Sequence, residues 1–153
     1  MLFRSLMFGC PDATEEQIEE ALVISQAKEF VDTKEGRLDA VVEQGGKNLS
    51  GGQRQRLTLA RALVPQSDIL IMDDSASALD YATDAKLRKA IQNMKRKQTV
   101  FIVSQRTSSI QDADSILVLD DGKIAGKGTH EELIASCDIY REIYETQFKK
   151  EEA

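Results

Sequence analysis

The stretch NLSGGQRQRLTLARAL, residues 48–63, constrains this chain more than any other. Its flanks are strong helix formers, yet it opens with two glycines in succession. Each glycine costs about 1 kcal/mol relative to alanine inside a helix. A pair of them marks a place where something approaches bare backbone. Ser50 and Gln53 stand in capping-box spacing, and Pro65 ends the helix. A helix that begins Ser-Gly-Gly turns its first N–H groups outward with no side chains in the way. Free donors and the positive dipole end then make it a ready anion site. The Ser50 hydroxyl can serve as the cap or meet a phosphate oxygen.

The apolar run DILIMDD (68–74) reads as a strand buried on both faces and ending in two acids. Asp73, at that strand's end, can hold Mg²⁺ directly or through water. A helix over about 81–95 and the strand TVFIVS (99–104) follow. Helix, strand, helix and strand in that order predict an α/β layer with parallel pairing. Upstream, Pro11 stops an apolar opening, and TEEQIEEALVISQAKEF (14–30) reads as a helix capped by Thr14 and Gln17. GRLDAVVEQGGKN is a glycine-punctuated loop. Downstream, Asp121-Gly122 predicts a hairpin over 115–128, Thr129 and Glu132 cap a short helix, and DIYREIYETQF forms another. The basic groups at 86–89 and 95–97 read as a solvated helix face and a helix C-terminus.

Composition removes several function classes. With 153 residues, 41% hydrophobic and 30% charged, the chain is of ordinary domain size and globular. A net charge of -6 argues against gripping nucleic acid by its phosphates. Cys10 and Cys137 have no metal or redox spacing and suit a reducing compartment. The apolar runs are strand-length, far short of the roughly 20 residues that span a bilayer, so the chain reads as soluble and intracellular.

LSGGQ (49–53), ILIMDD (69–74), SALD (77–80) and the strand ending in SQR (104–106) lie in one order along the chain. In this it resembles the nucleotide-binding domain of ATP-binding cassette (ABC) transporters. LSGGQ is similar to that family's signature, ILIMDD to its Walker B strand, SALD to its D-loop, and SQR falls at its switch loop. The resemblance implies a P-loop NTPase-like α/β fold. Residues 1–65 would be part of the helical signature subdomain and residues 66–153 the back of the ATPase core. It also implies ATP and Mg²⁺ as ligands. Leu49, Ser50, Gly51, Gly52, Gln53 and Asp80 would bind nucleotide, Asp73 the metal, and Asp74 and Gln105 would occupy catalytic positions. VVEQGG (41–46) looks like the loop that exporter-type members place before the signature, with Glu43 touching the transmembrane domains.

A phosphate-gripping loop, G-x-x-x-x-G-K-[ST], is absent from the sequence. The Gly-Lys pairs Gly46-Lys47, Gly122-Lys123 and Gly126-Lys127 are followed by Asn48, Ile124 and Gly128. The chain therefore looks like the second part of such a domain, and its strands are expected to leave apolar edges open. Two positions also depart from the family. Asp74 stands where a glutamate polarises the attacking water, and Gln105 stands where histidine is usual. The resemblance then implies the degenerate member of a heterodimeric exporter pair at the cytoplasmic face of the membrane. Its signature would complete a second nucleotide-binding domain's ATP site. Two other readings stay open: a non-transport ATPase head of the same superfamily, and a non-catalytic remnant that binds no ATP alone. His130, the one histidine, reads as a surface residue.

Overall fold

The computed structural model describes residues 1–75 and 77–149, in two compact units, Met1–Val103 and the chain from Ser104 onward. In the first unit the order is α1 (Leu2–Leu6), α2 (Glu15–Ile24), α3 (Lys28–Asp32), α4 (Gly51–Leu63), β1 (Ile69–Asp73), α5 (Tyr81–Gln92) and β2 (Thr99–Val103). The second holds β3 (Ile116–Asp120), β4 (Lys123–Gly128), α6 (His130–Ser136) and α7 (Asp138–Lys149). The mixed α/β class expected from the alternating pattern is the class observed.

The caps fall where their residue types demand. Thr14 with Gln17, Ser50 with Gln53, and Thr129 with Glu132 each form a complete capping box. One long helix was expected from residue 14 to 30. It breaks instead at Gln26, whose φ of 59° lies in the left-handed region. The Arg56 guanidinium donates to the Gln26 carbonyl at 2.9 Å and stacks over the Phe30 ring at 5.0 Å. A contact from α4 thus supports the break that local propensity would have bridged.

α4 is the axle of this unit. Leu57, Leu59, Ala60 and Leu63 are buried along it. They join Leu2 and Leu6 of α1, Ile18 and Leu22 of α2, Leu70 and Met72 of β1, and Leu87 and Ile91 of α5 in one core. Arg61 ties α1 to the same helix by donating to Ser5 Oγ at 2.7 Å. Within α5 the buried Asp84 pairs with Arg88 at 3.3 Å, one turn away. The second unit has its own core of Ile116, Val118, Leu133, Cys137 and Tyr140. Its hairpin turns at Asp121 and Gly122, both with positive φ (46° and 73°), as a two-residue turn requires. His130 is half-buried, not a free surface residue: its Nδ1 lies 2.9 Å from the Tyr140 hydroxyl, and its ring packs on Tyr144.

β1 and β2 pair in parallel from Ile69 opposite Thr99 to Asp73 opposite Val103. Here the structure corrects one expectation. β1 alternates exposed and buried, so it is covered on one face only. The other face shows Ile69, Ile71, Phe101 and Val103, each more than half exposed. An all-apolar strand with one bare face is built to be covered on both. The reason is the short sheet: two strands joined through α5 have no element among the described residues to close their second face.

Two outcomes follow from this packing. The 153-residue chain should self-associate at micromolar concentration and bind a hydrophobic dye. Ile71→Lys, which puts a charge in the middle of the bare face, should shift it toward monomer by light scattering. A sharp, cooperative, monomeric melt of the unaltered chain would contradict both. At the start of α5, the Thr83 amide donates to Asp80 Oδ1 at 2.9 Å and the Thr83 hydroxyl to Oδ2 at 2.8 Å. These bonds, the amide's first, hold the Asp80 carboxyl below the usual aspartate value. A lowered folded value means the cap contributes fully above the unfolded value of about 4 and is lost as pH falls through the folded one. Asp80→Asn should therefore flatten the acid limb of an unfolding titration; an unchanged acid limb would discount the cap.

Candidate functional site

The mouth of α4 is set by its cap. Gln53 N–H donates to Ser50 Oγ at 3.2 Å, and Ser50 N–H donates to Gln53 Oε1 at 3.1 Å. Gln53 is thereby committed to the helix start. Ser50 Oγ accepts one bond and keeps its own proton to donate. The amides of Gly51 and Gly52 have no acceptor among the described residues, as expected for the first turn of a helix. Two bare amides, a serine hydroxyl and the positive end of a 13-residue helix converge on one spot. That arrangement offers hydrogen-bond donors suited to an anion.

The other predicted residues take different parts. Leu49 is only 8% exposed and sits in the core, so its side chain anchors the mouth from behind. The preceding loop is clamped by Asn48, which donates to the Val41 carbonyl at 2.7 Å and accepts from the Glu43 amide at 3.2 Å. Gly45 and Gly46 take positive φ of 70° and 66° there, and a Cβ on Gly46 would meet the Arg54 side chain at 2.9 Å. Glu43 itself is exposed.

The glycines also have a second neighbour. A Cβ on Gly52 would stand 3.2 Å from the Ala78 carbonyl oxygen, and one on Gly51 would stand 3.9 Å from Ala78 Cβ. Ser77–Asp80 therefore lies directly beside the helix mouth. Gly52 is small for this close approach as well as for the bareness of its amide.

Asp73 ends β1 with an exposed side chain, and Asp74 follows it with φ 47°. The Asp74 amide donates to the Val103 carbonyl at 3.0 Å, which continues the β1–β2 ladder by one residue. Its own carbonyl accepts from Ser77 Oγ at 3.0 Å and from Gln55 Nε2 at 2.9 Å. Gln55 closes a bracket by accepting the Ala78 amide on Oε1, also at 2.9 Å. Sequence reading passed over Gln55, although a signal existed: it stands one helical turn after Gly51 and so shares its face.

Gln105 belongs to the second unit. It is exposed, and its carbonyl accepts from Gln147 at 2.6 Å. Gln147 Oε1 also accepts the Thr107 amide and hydroxyl, each at 2.9 Å, which fixes α7 against the segment after β2.

These groups suit a phosphate–cation pair only in part. The bare amides and Ser50 offer donors to anionic oxygen, and Asp73 offers a hard carboxylate at a strand end. No cluster of three or more metal-ligating side chains exists among the described residues. Asp73 could supply one carboxylate ligand to a cation there. No helix among the described residues is long and apolar enough to cross a membrane.

Comparison with known proteins bears on the same residues. The family profile for ABC transporters matches residues 9–77. An ATP-dependent lipid A-core flippase of Shewanella frigidimarina is 42% identical over 139 residues, which is 91% of this chain and 23% of that protein. The probable multidrug resistance ABC transporter ATP-binding/permease protein YheI of Bacillus subtilis is 41% identical over 94% of this chain and 24% of its own length. A bacterial Atm1-family ABC exporter solved with ATP bound superposes with a TM-score of 0.90 and 30% identity, over 95% of this chain and 26% of that one. The chain thus spans about a quarter of each. With the signature helix, the acid-tipped parallel strand and the relatives in agreement, the chain belongs to the ABC transporter family, as part of the nucleotide-binding domain of its exporter-type members.

Proposed function

We propose that this chain is the signature-bearing part of an exporter's ATP-binding subunit, and that it acts in trans. The observation that carries the reading is the pair of amides at Gly51 and Gly52 that find no acceptor among the described residues, beside the donor-capable Ser50 hydroxyl. Such a mouth can close on a triphosphate held elsewhere, and this sequence has no phosphate-gripping loop of its own. A second nucleotide-binding domain would present the nucleotide. Glu43, on its clamped and exposed loop, would meet the transmembrane domains at the cytoplasmic face of the membrane.

In the site to which this chain contributes its own acids, Asp73 would hold Mg²⁺ directly or through water. The metal, when bound, neutralises charge on the phosphates. Asp74 would orient and deprotonate water, but its carboxylate is one methylene shorter than a glutamate's. A misplacement of about 1 Å costs on the order of 100-fold in rate, so this site would turn over slowly. Gln105 can hydrogen-bond a γ-phosphate yet cannot carry positive charge. An intact signature beside two weakened catalytic positions points to the degenerate subunit of a heterodimeric exporter.

The absence of a G-x-x-x-x-G-K-[ST] run favours a second statement about the chain by itself: alone, it binds no nucleotide tightly. Calorimetric titration with Mg·ATP should show no tight binding to the 153 residues. In the intact transporter, Asp74→Glu should raise turnover at this site about 10- to 100-fold; an unchanged rate removes the degenerate-site reading. Replacing Ser50 and Gly51 together, as Ser50→Ala with Gly51→Val, should abolish turnover at the partner's site. Undiminished transport by that variant would end the in-trans reading.

A further inference from the structure

The half-buried Gln55 carboxamide makes two bonds to main chain. It donates to the Asp74 carbonyl at 2.9 Å and accepts from the Ala78 amide at 2.9 Å. A third, longer approach reaches Ser77 Oγ at 3.4 Å. Asp74 sits at φ 47°, a conformation that an L-residue keeps only when its surroundings hold it there. Its amide is already tied to Val103 at 3.0 Å. Gln55 supplies the tie on the carbonyl side, with Ser77 Oγ at 3.0 Å.

Gln55 also lies on α4, one turn beyond Gly51, while Gly52 leaves Ala78 no space to slide toward the helix. The bracket therefore joins two things: the mouth that reaches for an anion, and the backbone that aims an acid. One helical turn is stiff, so a small tilt of α4 carries Asp74 with it.

We propose that Gln55 is a positioning residue: it holds the Asp74 backbone and the Ala78 amide to the signature helix, so that the helix mouth and the acid pair move as one body. The role of Asp74 in this statement rests on the function proposed above; the bracket itself does not. Gln55 touches no reacting atom and acts only through Asp74.

The test uses the intact transporter that contains this segment. Gln55→Met keeps the side chain's length and loses both bonds; Gln55→Glu keeps the acceptor for Ala78 and loses the donor to Asp74. Hydrogen exchange at the Ala78 amide should speed up about five- to tenfold in Gln55→Met, the factor set by one hydrogen bond of ordinary net strength. It should stay slow in Gln55→Glu. In the Asp74→Glu background, Gln55→Met should cancel the gain in kcat, by about 10- to 100-fold, with the KM for ATP within about twofold of its parent. Gln55→Glu should cancel it too, because both variants lose the Gln55 bond to the Asp74 carbonyl and leave it to Ser77 alone.

Unchanged Ala78 exchange in Gln55→Met overturns the proposal whatever turnover does. So does full retention of the kcat gain, or a loss that appears wholly as a raised KM. If Asp74→Glu gives no gain while Ala78 exchange responds to Gln55→Met, the bracket stands and the catalytic reading of Asp74 fails. The two ideas thus separate in one set of measurements.

Discussion

A helix can leave its first amides bare only if something other than those amides holds its end in place. That constraint governs the first unit of this chain. Glycines at the start of α4 give up side-chain packing and conformational restraint, so the helix must be fixed from its sides and from the residue before it. The Ser50–Gln53 capping box sets the first turn. Leu49 and Leu57 pin the turn from behind, Arg56 grips the break between α2 and α3, and Arg61 reaches α1. Gln55 secures the remaining side, toward the end of β1. The Ser50–Gln53 bonds and these side contacts hold the donors at the mouth in place.

Electrostatics give the same region its polarity. Asp73, Asp74 and Asp80 are all exposed, and the field at the α4 mouth favours negative charge. Asp80 is engaged as the cap of α5, and Thr83 holds its carboxyl low. That leaves Asp73 and Asp74 adjacent in sequence. In an extended strand neighbouring side chains point to opposite faces, and the left-handed turn at Asp74 changes the direction of the second.

Much of this was legible in the chain itself. All three capping boxes, the hairpin turn at Asp121-Gly122, the parallel pairing of β1 with β2 and the family follow from local residue types at fixed spacing. Such signals survive because the groups that satisfy each other are three residues apart, or because an apolar run of that length has one economical use. The missed features share another property. The break at Gln26 depends on Arg56, 30 residues away. The bracket at Gln55 spans 19 residues to Asp74 and 23 to Ala78. The half-burial of His130 depends on Tyr140 and Tyr144 across two helices. None of these partners is visible to a reading of neighbours.

Sequence alone determined where the main helices and strands lie, where the capping boxes fall, that a diglycine opens α4, and which acids end a strand. These are matters of short-range sterics and hydrogen-bond stoichiometry. Only the tertiary structure decided that β1 is covered on one face, that Gly52 stands against the Ala78 carbonyl, and that a glutamine one turn into the signature helix bonds the backbone at Asp74 and Ala78. Those outcomes depend on which distant surfaces come within a few ångströms of each other, and packing sets such distances, not local preference.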